Sequence, residues 1–167
     1  ISPSAIKKNY EIMNDFAERE FNTKPKVAWM IDCFGHPGMM PKLAKETGLR
    51  YYVFWRGMNL PESTQEFVWF GADGSSVLTH WMKHGYSLFG YNFKDLMRAV
   101  NVSDPSTNLV FIPFGADFYI PDEKLIQQVH DAESARFALP SEFFKELEKH
   151  ENELPKIEGE MLSDLSL

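Results

Sequence analysis

Three short apolar runs recur along this chain, and each is followed by loop or helix signals. The runs lie at residues 27–31, 51–54 and 109–112. Apolar side chains at successive positions, without alternation, are typical of strands that are buried on both faces of a parallel sheet. Strands that alternate with helices favour an α/β domain. This pattern constrains the fold more than any other feature of the sequence.

Helical segments are predicted between and after these runs. Ser2 and Pro3 supply capping chemistry at the first of them, and Gly48 ends the second. The apolar residues within each segment recur at helical spacing. The predicted helices are 3–21, 40–47, about 93–100, 121–132 and a last one that begins at Pro140.

A β-hairpin is predicted around Asp73-Gly74, because an Asp-Gly pair between two β-rich runs is a strong turn signal. Its strands fall at 66–70 and 76–80, and we expect the hairpin to be an excursion from the main sheet. Residues 137–139 are a further short strand candidate. The tail after Leu154 gives no definite prediction.

Composition limits the classes of partner. A net charge of -7 without a basic stripe argues against nucleic-acid binding. The single cysteine, Cys33, excludes an internal disulfide, and no signal peptide or membrane-spanning run is present. These features weakly favour the cytoplasm. Because the chain opens without Met at a helix start, we expect residues 1–167 to be one partial domain of a larger protein.

Polar residues follow the three apolar runs where each run ends. They are Asp32, Arg56 and, a few residues beyond the third run, Asp117. Because catalytic groups collect at the carboxyl ends of parallel strands, these three side chains are expected to meet. Two carboxylates can divide glycoside cleavage, and an arginine would hold the attacking one ionised. The alternative, that both aspartates only cap loops, fits the pattern equally well.

Metal ligation is less well supported. Asp32 and His36 are close enough in sequence to form a metal pair, but the flanking Gly35 and Pro37 favour a structural loop histidine. The other four histidines form no HExxH motif or similar zinc motif. Dinucleotide, P-loop and serine-hydrolase motifs are also absent from the sequence.

Residues 29–37, Trp-Met-Ile-Asp-Cys-Phe-Gly-His-Pro, closely resemble the W-x-I-D-P-F-G-H-S segment of glycoside hydrolase family 38, the α-mannosidases. Further similar segments follow in the family's order. They lie at 54–57 (Phe-Trp-Arg-Gly), 67–71, 73–80 (beginning Asp-Gly-Ser), 113–118 (similar to G-D-D-F) and 140–144. Chance similarity would not preserve this order over most of the chain.

The resemblance implies roles for the matched residues. Asp32 falls on the family's nucleophile, which also coordinates a catalytic zinc, and Asp117 falls on the candidate acid/base. Phe34 falls on the aromatic residue that lines the site beside the sugar. Arg56 falls on the arginine next to the nucleophile, and Tyr86 on a tyrosine that contacts the substrate. The implied activity is retaining cleavage of terminal α-mannosides through a mannosyl-Asp32 intermediate. The implied fold is part of a (β/α) barrel of about seven parallel strands.

Departures from the family pattern limit these expectations. Cys33 replaces the usual Pro, Pro37 the usual Ser, and Ala116 the first Asp of G-D-D-F. The family's H-x-D segment and its later zinc-binding His have no match here, so three of four zinc ligands would come from outside the chain. An unclosed barrel would leave strand edges that favour association, for example as a homo-oligomer.

Two other functions stay open at this stage. A metal-dependent carbohydrate deacetylase would share strand-end Asp and His residues, but it would need a His-x-x-x-His pair that the sequence lacks. A non-catalytic sugar-binding module would keep the aromatic residues and tolerate loss of Asp32 and Asp117. The presence of both aspartates counts against that module.

Overall fold

The computed structural model describes residues 2–58, 64–83, 85–86, 93–94, 107–113, 115 and 117–162. Its helices are α1 (Pro3–Phe21), α2 (Met40–Thr47), α3 (Glu123–His130), α4 (Pro140–Leu147) and a 3-10 helix (Glu148–Glu153). Its strands are β1 (Val27–Met30), β2 (Gly35–His36), β3 (Tyr51–Phe54), β4 (Glu66–Phe70), β5 (Ser76–Trp81), β6 (Lys156–Glu158) and β7 (Met161–Leu162).

The five longer strands form one mixed sheet in the order β1-β3-β5-β4-β6. Strands β1, β3 and β5 run parallel to one another, and β6 runs parallel to β4. Only β4 and β5 pair antiparallel in this sheet. The predicted hairpin therefore exists, but its prediction as an excursion is wrong, because β5 pairs directly with β3 and both hairpin strands belong to the main sheet.

Helices cover both faces of this sheet. Alternate residues of the fully buried β3 point to opposite faces, so Tyr52 and Phe54 join one apolar cluster, while Tyr51 and Val53 join another. Helices α1 and α2 pack on the first cluster, and α4 packs on the second. Burying one such large side chain contributes about 1.5–3 kcal/mol. The α/β class is confirmed, with a mostly parallel sheet.

The predicted helices form where their ends carry capping signals. Ser2 Oγ accepts a hydrogen bond from the Ala5 amide at 3.3 Å, and α2 ends at Gly48 with φ +79°. At α4 the Glu142 carboxylate accepts from the Leu139 amide at 2.6 Å. Most of the helix predicted near residues 93–100 lies outside the described residues. None of the described helices is long and apolar enough to cross a membrane.

Three strand predictions need correction. Strand β1 is not buried on both faces, because Trp29 is 42% exposed. In the described residues it is also an edge strand that pairs only with β3. Residues 109–112 form no strand, because Leu109 and Phe111 pack against the second apolar cluster without joining a ladder. Residues 137–139 are the approach to α4, where Leu139 is exposed. The seven-stranded barrel remains a prediction.

A buried polar pair links the two hairpin strands. Glu66 and His80 are register partners, Glu66 Oε1 lies 2.9 Å from His80 Nδ1, and the side chains are only 4% and 1% exposed. The His80 ring also contacts Phe111 and Phe143 edge-on. Burial of a polar group requires such a partner, so each side chain depends on the other.

Glu66→Ala is expected to lower the free energy of unfolding by roughly 2–4 kcal/mol, because it leaves the His80 ring nitrogen buried without its partner. Urea denaturation measures the loss. Glu18→Ala is the control, since Glu18 forms an exposed pair with Lys24 at 3.1 Å and should cost less than about 1 kcal/mol. Equal small losses in the two variants would contradict a structural role for the buried pair.

Candidate active site

Asp32 and Arg56 are brought together by two neighbouring parallel strands. Met30 and Phe54 are register partners at the ends of β1 and β3. Asp32 lies two residues after Met30, and Arg56 two residues after Phe54. The two side chains are therefore neighbours where the strands end. Arg56 Nε donates to Asp32 Oδ1 at 3.4 Å. The strand-end placement predicted from the sequence is thus observed for this pair.

Tyr86 connects Asp32 to the second carboxylate. Its hydroxyl lies 3.4 Å from Asp32 Oδ2 and 3.5 Å from Asp117 Oδ2. Because both distances end at the same hydroxyl oxygen, Asp32 Oδ2 and Asp117 Oδ2 are at most about 7 Å apart. This limit is compatible with the ~5.5 Å between the two carboxyl groups of retaining glycosidases. Asp117 reaches this position from an irregular segment rather than from a strand end.

The Tyr86 phenol is perturbed by this setting. Partial burial raises the pKa of Tyr86, and the charges of Asp117 and Asp32 raise it further. The hydroxyl therefore stays protonated at neutral pH. It can donate to either carboxylate, although its one proton serves only one of them at a time.

The site is open to solvent at the nucleophile candidate. The side chains of Asp32 and Arg56 are 59% and 38% exposed, and Phe34 is exposed as well. The Arg56 guanidinium lies 4.9 Å from the centroid of the Phe34 ring. This accessible surface combines an aromatic face with a carboxylate and a guanidinium. It can bind a sugar, whose ring has an apolar face and polar hydroxyl groups.

A cavity of about 900 Å³ lies beside Asp117, and Ile31, which precedes Asp32 in the chain, also lines it. Tyr86 and Asp117 form part of its wall. Aromatic and polar side chains continue the lining away from them, among others Trp29, Phe111, Asn108 and Arg136. This mixture of apolar surface and a few polar groups is typical of small-molecule sites.

His36 fixes the loop that carries Asp32. It is buried, and its Nδ1 and Nε2 lie 2.9 Å from the Tyr52 hydroxyl and the Arg56 carbonyl oxygen, respectively. Gly57 packs so closely that a Cβ there would lie 3.0 Å from the His36 ring. Since both ring nitrogens are engaged, the structural interpretation of His36 fits the geometry, and a metal pair with Asp32 does not.

Burial lowers the pKa of His36 below its usual 6.5, against a smaller opposing effect of the Arg56 carbonyl. As pH falls below 6.5, the unfolded chain takes up this proton before the folded chain does, so stability is lost from there down to the folded-state pKa. His36→Gln should flatten this loss on the acid side of pH 6.5. Urea midpoints measure it, with the exposed His130→Gln as control. An unchanged slope in His36→Gln would contradict the prediction.

The described residues do not form a complete zinc site. Among them, no group of three or more His, Cys, Asp or Glu side chains converges. Asp32 can supply one oxygen ligand, but one carboxylate cannot fix a tetrahedral zinc. Burial raises the pKa of the neighbouring Cys33 thiol, and the Asp32 charge adds to this, so Cys33 is a poor thiolate ligand.

Residues 5–160 match the family model described as Glycosyl hydrolases family 38 N-terminal domain. The chain belongs to this family. The family 38 resemblance inferred from residues 29–37 is therefore confirmed. The match covers all five residues proposed for the site, Asp32, Phe34, Arg56, Tyr86 and Asp117, but does not test their roles.

Proteins named as alpha-mannosidases are similar to the chain. Alpha-mannosidase G of Dictyostelium discoideum is 28% identical over 165 residues, which cover 90% of this chain and 15% of that protein. An alpha-mannosidase of Saccharomyces cerevisiae is 33% identical over 88 residues, or 50% of this chain and 8% of that protein. The chain thus spans under a sixth of the length of either relative.

Solved structures show the same fold. The crystal structure of an alpha-mannosidase from Enterococcus faecalis V583 superposes with a TM-score of 0.79 at 16% identity, over 98% of this chain and 21% of that one. A protein in glycosyl hydrolase family 38 from Enterococcus faecalis gives a TM-score of 0.63 at 17% identity, over 95% of this chain and 18% of the other. The arrangement of helices and mixed sheet is therefore that of the family.

Proposed function

We propose that this family 38 segment supplies the nucleophile and the acid/base of a retaining α-mannosidase. The observation that carries the proposal is the convergence of Asp32 and Asp117 on one tyrosine hydroxyl, beside an arginine that contacts Asp32. The upper bound of about 7 Å between their oxygens is compatible with the ~5.5 Å between the two carboxyl groups that perform double displacement at an anomeric carbon. The family membership and the α-mannosidase names of its relatives point to the sugar.

In the first step, an Asp32 oxygen attacks the anomeric carbon while the bond to the leaving oxygen breaks. The electron pair of that bond goes to the leaving oxygen, which takes a proton from Asp117. The product is a mannosyl ester of Asp32. In the second step, water gives a proton to Asp117 and attacks the same carbon, and the ester bond breaks to restore the Asp32 carboxylate.

The remaining site residues hold this arrangement. Arg56 orients the Asp32 carboxylate by donating to Oδ1, and Oδ2, which can accept from Tyr86 with one lone pair, keeps a second lone pair for attack. Tyr86 can donate to Asp32 while the nucleophile is a carboxylate and to Asp117 once the acid has lost its proton. Phe34 is exposed, and its ring can pack against the apolar face of the sugar ring.

Zinc enters the proposal only as a group that Asp32 would help to hold. Bound there, it would polarise sugar hydroxyls as a Lewis acid. We expect the 167-residue chain, dialysed after exposure to zinc, to retain well under one zinc per chain, because its described residues offer no convergent ligand set. Metal analysis of the dialysed chain is the measurement. Stoichiometric retention that is lost in Asp32→Ala would show that the chain builds its own site.

Hydrolysis of nitrophenyl α-mannoside by the full-length protein tests the proposed function. The β-anomer is the control substrate and should not be cleaved. Proton NMR of the first sugar released distinguishes the stereochemical course, because double displacement gives α-mannose before mutarotation. Initial release of β-mannose, or cleavage of neither substrate, would contradict the proposal.

A further inference from the structure

Trp55 lies between strand β3 and Arg56 and touches two side chains of the site. The Arg56 guanidinium carbon is 4.1 Å from the Trp55 ring centroid, closer than its 4.9 Å from Phe34. The Tyr86 ring meets the indole edge-on, with centroids 5.4 Å apart and an interplanar angle of 85°. The two side chains that hydrogen-bond Asp32 therefore share one aromatic support.

Contacts hold both the backbone and the indole of Trp55. The backbone carbonyl of Trp55 accepts a hydrogen bond from Trp81 Nε1 at 2.8 Å, which fixes the point from which the indole projects. Gly85, with φ +78°, lies against the ring so closely that a Cβ there would come within 3.0 Å of it. Gly85 is in turn bonded through its amide to the Met82 carbonyl at 2.8 Å. Trp55 is thus a fixed surface rather than a freely rotating side chain.

A fixed aromatic surface restricts its neighbours. An arginine side chain exposed to water loses considerable rotamer freedom when it is ordered, and stacking of the guanidinium on an aromatic face offsets part of that cost. An edge-to-face contact likewise limits where the Tyr86 ring can lie. Without the indole, both donors would spread over orientations that do not reach Asp32.

We propose that Trp55 is a positioning residue that sets Arg56 and Tyr86 against the Asp32 carboxylate. The proposal deepens the proposed function, because it rests on Asp32 being the group whose position matters. Trp55 does not contact the reacting atoms and acts only through its two neighbours. Trp55→Leu removes the aromatic surface, whereas Trp55→Phe keeps a smaller one.

The test is a cycle that measures contact between Tyr86 and Asp32 without using enzyme activity. Fluorotyrosine is placed at position 86 of the 167-residue chain, and fluorine NMR records the chemical shift of its resonance at a fixed neutral pH. With Trp55 present, Asp32→Asn should shift this resonance, because the hydroxyl of residue 86 loses the carboxylate oxygen that lies 3.4 Å away. In Trp55→Leu, the same change should have little effect.

Trp55→Phe should keep part of the coupling, and it replaces Trp55→Leu if circular dichroism shows that the leucine variant is unfolded. The matched control is Phe16→Leu, which deletes an aromatic ring under the Arg19 guanidinium on α1 and should leave the coupling intact. An undiminished effect of Asp32→Asn in both Trp55 variants would overturn the proposal. Since no substrate is involved, failure here is distinct from failure of the proposed function.

Activity of the full-length protein gives a second, separate readout. Trp55→Leu is expected to lower kcat by roughly 10–100-fold with a smaller change in KM, because misplacement by about 1 Å is felt at the chemical step. Trp55→Phe should recover most of that loss, and Phe16→Leu should match the unchanged protein. A loss confined to KM would assign Trp55 to substrate binding and contradict a positioning role.

Discussion

Asp32→Ala is expected to reduce α-mannoside hydrolysis by the full-length protein by roughly 10⁴–10⁶-fold, the range found when a covalent nucleophile is removed. The loss should appear in kcat, since the carboxylate forms the bond to the anomeric carbon. Folding should be little affected, because the Asp32 side chain is mostly exposed. Asp15→Ala, an exposed aspartate on α1, is the control and should retain activity.

Chemical rescue sharpens this prediction. A small anion such as azide can enter the space left by the Asp32 carboxylate and attack the anomeric carbon directly, so Asp32→Ala should regain turnover of an activated aryl mannoside. The product should be β-mannosyl azide, because a single displacement inverts the configuration. Asp117→Ala can give only the α-azide through the intact nucleophile. The α-product from Asp32→Ala would contradict the assignment.

Asp117→Ala is expected to separate substrates by their leaving groups. Mannosides with poor leaving groups need a proton on the departing oxygen, so their hydrolysis should fall by roughly 10²–10⁴-fold. Aryl mannosides with acidic phenols need less assistance, and their first step should be nearly unchanged. The measurement is kcat/KM across a series of leaving groups, which should show a much steeper dependence on leaving-group acidity in the variant.

Equal losses across that series would remove the acid/base role from Asp117. Asp131→Ala serves as the control, because Asp131 is an exposed aspartate that follows α3 and contacts Gln127 rather than the site. It should reproduce the slope of the unchanged protein.

Local signals account for the parts of the fold that the sequence predicted. Helix α2 has a proline in its first turn and a glycine with positive φ at its end, and both are readable from the sequence. Strand β3 is buried on both faces, and its uninterrupted apolar residues indicate that directly. The hairpin turn follows from Asp73-Gly74, where Gly74 has φ +77°.

Pairing between distant segments could not be predicted in the same way. An apolar run at residues 109–112 predicts burial, and partial burial of Leu109 and Phe111 against the second apolar cluster satisfies it as well as a strand ladder would. The Asp-Gly pattern likewise predicts the hairpin turn, but it does not predict that β5 pairs with β3 on its other side. The short β2 pairs with β7, more than 120 residues later, and its two residues carry no periodicity of their own.

The site was predictable where position follows from strand ends. Asp32 and Arg56 meet because their strands are register partners. Asp117 was placed at a strand end that does not form, and it nevertheless reaches Tyr86 from an irregular segment. Trp55 was missed, since an aromatic residue beside a strand indicates core packing as readily as support of a site. Its position directly before Arg56 was the available signal.

Trapping of the glycosyl intermediate tests the central claim most directly. A fluorinated mannosyl fluoride should inactivate the full-length protein. The ring fluorine slows both steps, but the reactive fluoride leaving group restores the rate of ester formation only, so the ester accumulates. Mass spectrometry of peptides from the inactivated protein then locates the sugar. We expect one label per chain, on Asp32. A label on Asp117 or on any other residue would contradict the assignment of Asp32 as the nucleophile.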